Sequence, residues 1–458
     1  MRTVANEYYQ QNREQFLQGL KNLLRIPSIS TLPEHKPDIR RAVEFIANEL
    51  RGMGMKGVEI IEGKGPQHPL VYAEWLEAAG KPTLLLYGHY DVQPPDPLEE
   101  WISPPFEPTI RNENIYARGA VDDKGQLYLL LKAVEGFLKG EGKLPINVKF
   151  LIEGEEEMGG EHIAAYTGTQ RERLKADAAL VCDTEMFAPE LPTITTGLRG
   201  LVYTELEARG AAHDLHSGMY GGAAPNPIQA LAEMLVGLKG RDGKVRIPGF
   251  YKRVKKPGRK ELDAWKRLPF NEKEFLKKEI GATSLVGERG ISVLERLWAR
   301  PTLEVHGIRG GFTAEGAKTV IPAVAAAKVS MRLVPEMDPK QVIRQYTDFV
   351  KKLTPKGIKS AVRVLSSAPA SLVSPESRWV AAAAEAMEQI FHKKTVYMRS
   401  GGSIPIVGEF QDHLGIPSVM MGFGLPDDHL HAPNEKFHLP NFYRGILAVA
   451  RYFELLGQ

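Results

Sequence analysis

Residues 84–95 read Leu-Leu-Leu-Tyr-Gly-His-Tyr-Asp-Val-Gln-Pro-Pro, and the chain changes character in the middle of them. Leu84 to Tyr87 form a short apolar run of the kind that fills a strand buried on both faces. Gly88, His89 and Asp91 stand at its tip, and Pro94 and Pro95 then forbid continuation of a ladder or a helix. A histidine and an aspartate two residues apart at the end of a buried strand are either a capped strand end or a metal site. One pair leaves both readings open, so the other apolar runs have to decide.

Working outward, strand-like runs at 70–75, 146–152 and 178–182 alternate with helical spacings at 13–26, 39–54 and 125–140, the last read as amphipathic. That alternation predicts an α/β domain whose sheet is mostly parallel and flanked by helices. After Thr195-Thr196-Gly197-Leu198-Arg199-Gly200 the pattern changes. Residues 201–210 alternate apolar and polar, as a half-solvated strand does. A helix (226–240), two strands (301–311 and 323–335), a helix (339–353) and a last strand (360–369) follow. Strand, helix, strand, strand, helix, strand is the ferredoxin-like order. The reading is therefore a catalytic domain in two parts, 1–197 and 371–458, with an inserted ferredoxin-like α+β domain at 198–370. The charged helical stretch from about 250 to 300 is an elaboration of the insert. The segments 195–200 and 366–377, rich in Gly, Ser and Pro, read as connections between the two.

Bulk properties narrow the partners. The 458 residues carry a net charge of only +3, so no global field argues for nucleic acid or a membrane. The basic run 251–260 is followed at once by acids and reads as a solvated loop. A single cysteine, Cys182, excludes an internal disulfide and fits a reducing compartment. No run reaches the roughly 18 apolar residues of a spanning helix, and residues 1–16 hold no apolar core of signal-peptide length. The expected location is cytoplasmic.

The other strand ends answer the opening question. Glu155, Glu156 and Glu157 follow the run at 146–152, Asp183 follows 178–182, and Asp427, Asp428, His429 and His431 follow the apolar stretch 416–424. Asp122 and Asp123 precede the helix at 125–140. Ligands of open parallel sheets bind at the carboxyl ends of the strands. This many carboxylates on one rim repel one another unless a cation neutralises them. Histidine with Asp and Glu, and no Cys, suits zinc or a similar divalent ion. Five candidate ligands exceed what one catalytic zinc takes, whereas two ions sharing a carboxylate use them all. Of Glu156 and Glu157, one can then serve as ligand and the other as general base.

The motifs at 88–94 (GHYDVQP), 117–126 (ARGAVDDKGQ), 153–160 (EGEEEMGG), 182–184 (CDT), 214–218 (DLHSG), 317–322 (AKTVIP), 330–335 (SMRLVP), 401–405 (GGSIP) and 429–435 (HLHAPNE) stand together in one chain. In that order they resemble the co-catalytic metallopeptidases that include carnosinase, cytosolic non-specific dipeptidase, aminoacylase and glutamate carboxypeptidase. The resemblance implies two divalent ions per subunit, zinc first, with manganese or cobalt as alternatives. It implies that His89 and Asp183 hold one ion, Glu157 and His431 the other, and that Asp122 bridges them. Asp91 would orient His89. Glu156 would be the base, although three consecutive glutamates leave that assignment open by one position. His216 would stabilise the oxyanion, in its own subunit or across a dimer. Arg332, Thr319, Gly401, Gly402 and Ser403 would bind substrate. Aspartate at 183 resembles the dipeptidase branch more than the glutamate carboxypeptidase branch.

The expected activity is hydrolysis of dipeptides or short peptides by a water activated at two metal ions. The alternative is an amidohydrolase that removes N-acyl groups from amino acids, of aminoacylase or desuccinylase type. The expected assembly is a homodimer through the inserted domain. A serine hydrolase centred on Ser403 is disfavoured because Pro405 stands where a nucleophile elbow needs glycine. The His-Glu-x-x-His zincin signature is absent.

Overall fold

The protein is described here from a computed structural model, which covers residues 4–458. The chain divides into two compact units. The first comprises residues 4–196, 373–398 and 405–458, and the second 197–372 with 399–404.

In the first unit the run that opened the reading is the strand Thr83–His89. It lies at the centre of a sheet ordered Lys56–Ile61, Leu70–Trp75, Asn147–Glu153, Thr83–His89, Ala178–Val181, Ser418–Met420, Thr193–Leu198. The central strands pair parallel, Thr83–His89 with both Asn147–Glu153 and Ala178–Val181, and Ala178–Val181 with Ser418–Met420. Antiparallel pairs finish the two flanks. Leu84, Leu85, Leu86 and Tyr87 are fully buried, as a strand covered on both faces requires.

The helix Lys124–Gly140 departs from the amphipathic expectation. Every residue from Lys124 to Phe137 is buried. The polar positions that suggested a wet face are spent on internal bonds: Lys124 Nζ donates to the Ile26 carbonyl at 2.6 Å, Gln126 Nε2 to the Val121 carbonyl at 3.1 Å, and Lys132 to Glu49 and Glu135. Each buried leucine here contributes about 1.5–3 kcal/mol through removal from water. Gly125 is dictated by close approach, since a Cβ there would lie 1.9 Å from the Ala120 carbonyl oxygen. The helix Lys36–Met53 ends at Gly54 in the left-handed conformation (φ 102°), the usual glycine stop.

The second unit is a four-stranded antiparallel sheet ordered Thr302–Gly310, Val324–Leu333, Gly200–Arg209, Lys359–Ala368, with the helices Pro227–Leu238 and Pro339–Leu353. The strand Gly200–Arg209 alternates buried and half-buried as far as Ala208. Its core gathers Val202, Leu206, Leu231, Met234, Val329, Met331 and Tyr346. The boundaries between the units, at 196/197 and 372/373, fall inside the segments 195–200 and 366–377 read as connections, and the first lies within the buried strand Thr193–Leu198. One boundary expectation fails. Residues 399–404 group with the second unit, since Ser403 and Gly401 bond to Arg332 and Arg199.

Candidate metal centre

His89 ends its strand with a fully buried ring. Nδ1 faces Asp91, 3.1 Å from its main-chain oxygen and 3.3 Å from Oδ1. That side is where a proton sits, which leaves Nε2 free to ligate. Nε2 points at Asp122 Oδ1 (3.1 Å) and Asp183 Oδ2 (4.0 Å). The other Asp122 oxygen lies 3.0 Å from His431 Nε2, which is 3.4 Å from Glu157 Oε2. Ligand atoms of His89, Asp122 and Asp183 thus gather within 4.8 Å of one another, and so do those of Asp122, Glu157 and His431. Asp122 belongs to both clusters.

The electrostatics are those of a cation site. Burial, then the charges of Asp123 and Asp122, push the Asp183 carboxyl far above the ordinary range. Burial, then Asp183 and Glu157, do the same to Glu156. Burial opposes the charge on Asp122, yet hydrogen bonds from His431 and His89 hold its carboxyl well below the usual range. Bonds to Asp122 and Glu157 raise His431 to about 10. Carboxylates that must otherwise take up protons, facing imidazoles that must otherwise be cationic, are relieved together by divalent ions. The donor set, two imidazoles and three carboxylates without sulfur, fits such ions.

Around the clusters, carboxylates hold main chain. Asp91 accepts from the backbone N–H of Glu156 (3.2 Å) and of Glu157 (3.1 Å), so one residue aligns His89 and fixes the acidic pair. Glu155 is excluded as a base: its two oxygens accept from the His68 and His162 backbone N–H groups at 2.6 and 3.0 Å. The Glu156 carboxylate makes no hydrogen bond among the described residues and stays available. Asp123 Oδ2 accepts from His89 N (3.1 Å), and Asp428 accepts from Leu425 N and Lys436 Nζ, both at 2.7 Å, so these two acids are structural. Sequence reasoning missed Gln93, whose amide donates to Glu157 Oε2 at 2.7 Å, and Glu435, whose carboxylate accepts from the Val121 and Asp122 backbone N–H groups.

In the second unit His216 is exposed, and its Nδ1 accepts from Gly218 N at 3.0 Å, which assigns the ring proton to Nε2. The Thr319 carbonyl accepts from Ser217 N (3.0 Å), beside the pairing of His216 with Val320. Arg332 Nη1 donates to Ser403 Oγ at 2.7 Å, and Ser403 Oγ donates to the Arg199 carbonyl. Arg199, also missed, donates from Nε to the Gly401 carbonyl at 3.0 Å. Burial lowers Arg332, and burial with the Arg332 charge lowers Arg199 to about 10. The nearby Arg399 and Arg300 each have a bidentate glutamate, Glu261 and Glu288. Arg332 and Arg199 have no such paired glutamate among the described residues, so the two guanidiniums together are suited to a carboxylate. Gly402 N donates to Ser400 Oγ at 3.1 Å.

Residues 85–455 match the family described as Peptidase family M20/M25/M40. The chain belongs to this metallopeptidase family. It is 31% identical to the Cys-Gly metallodipeptidase dug1 of Schizosaccharomyces pombe, over 98% of this chain and 97% of that one. It is 29% identical to the Beta-Ala-His dipeptidase of Homo sapiens, over 99% and 92%. Among solved structures it resembles the M20 family metallo-carboxypeptidase Sso-CP2 from Sulfolobus solfataricus, with a TM-score of 0.88 and 33% identity over 96% of this chain and 99% of that one. Membership implies divalent metal use, and the two clusters are where this chain offers ligands.

Proposed function

We propose that this M20-family enzyme is a metal-dependent dipeptidase with two ions per chain. His89, Asp122 and Asp183 would hold one, and Asp122, Glu157 and His431 the other. The observation that carries the reading is the shared Asp122, with the unengaged carboxylate of Glu156 beside it. When bound, the ions supply Lewis-acid activation of a water and of the scissile carbonyl.

The chain's own residues supply the rest. Glu156, whose carboxylate no described residue engages, takes the proton of the attacking water and delivers it to the leaving amine. His216 offers Nε2–H to the oxyanion, with its tautomer held by Gly218 N. Arg332, with Ser403 and Gly401, takes the free carboxylate of the substrate, and Thr319, beside His216, and Gly402 are proposed as further substrate contacts. A carboxylate pocket favours peptides with a free C-terminus close to the scissile bond. The two dipeptidase relatives, alike over nearly their whole length, support dipeptides over N-acyl amino acids.

Zinc is the proposed ion, from the nitrogen and oxygen donors. A cytoplasmic location is proposed from the single, buried Cys182. Among the described residues no helix is long and apolar enough to cross a membrane. A homodimer through the inserted unit is proposed from the open strand Thr302–Gly310, which exposes Val305 and Ile308 at its sheet's edge. Light scattering on the intact chain tests it, and a monomer would refute it.

Glu156→Gln tests the catalytic assignment. The variant should bind metal as the parent does and lose at least about a hundredfold in kcat, the lower end for general-base removal. Near-parental turnover would move the base elsewhere.

A further inference from the structure

One buried carboxylate ties the loop that carries Asp122 to the segment that carries His431 and ligates in neither candidate cluster. Glu435 is completely buried. Its Oε2 accepts from Arg118 Nη1 at 2.7 Å and Gly119 N at 3.0 Å, and its Oε1 from Val121 N at 3.0 Å and Asp122 N at 3.1 Å. Its main-chain oxygen accepts from Ala117 N at 3.1 Å. One residue therefore binds the loop 117–122 at five points, one of them the backbone N–H of the shared aspartate itself. Glu435 also lies four residues beyond His431, on the segment that delivers the ligand facing Asp122 across 3.0 Å.

We infer that Glu435 is a positioning residue that sets the Asp122-to-His431 spacing before metal arrives, and so determines the affinity of the second ion. Geometry favours this over a bare ion pair. Arg118 satisfies one of the four carboxylate bonds, while three are spent on main-chain donors that water does not reach. A carboxylate can accept on both oxygens, whereas an amide cannot. In Glu435→Gln, whichever way the side chain is turned, an NH2 group faces either the Val121 and Asp122 donors or the Arg118 and Gly119 donors, and one pair is left buried without an acceptor.

The inference rests on the reading of Asp122 as shared ligand. The test is Mn²⁺ titration of the chelator-stripped full chain, followed by electron paramagnetic resonance, which reads the magnetic coupling of paired ions. The parent should bind two ions that couple. Glu435→Gln and the shorter Glu435→Asp should keep one ion near parental affinity, bind the second about 10–100-fold more weakly, and lose the coupling, as removal of a ligand-supporting carboxylate does elsewhere. Arg118→Lys, which keeps a cation beside Oε2, should leave both affinities within about threefold. In the unmutated, metal-free chain the Gly119, Val121 and Asp122 amides should exchange with solvent as slowly as in the loaded chain. Rapid exchange until metal is added, or two coupled ions of parental affinity in Glu435→Gln, overturns the inference. A parent chain that never binds a second ion overturns the shared-ligand reading and the inference with it.

Discussion

Glu153 offers a quantitative check on the electrostatics beneath the site. It ends the strand beside His89 with 1% exposure, accepts from Tyr87 Oη at 2.6 Å, and leaves Oε2 without a partner among the described residues. Burial, opposed by the Tyr87 bond and reinforced by the Asp91 charge, pushes its carboxyl from 4.5 up to about 8. Between those values the folded chain holds a proton that the unfolded chain has lost. The stabilisation is therefore complete below the unfolded value and falls away as pH rises through the window. The loss from about pH 5 to about pH 7 works out at about 2.5 kcal/mol. Glu153→Gln keeps the acceptor for Tyr87 and cannot ionise. Urea denaturation of metal-stripped parent and variant across this range should show the parent losing about 2.5 kcal/mol relative to the variant. Parallel curves would mean that Glu153 is ionised in the folded chain and that the reasoning fails.

Two further outcomes are expected. Arg332→Met should raise KM for free dipeptides at least about tenfold, the scale of a lost charged hydrogen bond, and leave C-terminal dipeptide amides nearly unchanged; equal losses on both would remove the carboxylate role. Gly125→Ala should destabilise the chain by about 1–3 kcal/mol despite the better helix propensity of alanine, because the new methyl meets the Ala120 carbonyl at 1.9 Å. An unchanged thermal midpoint would contradict that packing.

Much of the architecture was legible because buried parallel strands leave long apolar runs, and because His89, Glu156, Glu157 and Asp183 each stand where such a run stops. The helix at 124–140 misled because its lysines and glutamine resemble a solvent face, whereas their partners come from distant segments such as Ile26 and Glu49. Glu435 and Arg199 escaped for the same reason. Most of their partners are main-chain groups some 100–300 residues away, and a residue whose role is to accept from or donate to backbone leaves no spacing pattern. Three glutamates in a row were ambiguous until the His68 and His162 amides were seen to engage Glu155.

The central claim is metal-dependent cleavage of dipeptides at the two clusters that share Asp122. Its most direct test is a hydrolysis panel on chelator-stripped protein with Zn²⁺ or Mn²⁺ restored, comparing free dipeptides, their N-acetylated forms and a tripeptide. Turnover should be absent without metal, and free dipeptides should be cleaved preferentially when it is restored. Turnover that survives chelation, or cleavage confined to the acetylated compounds, would contradict it.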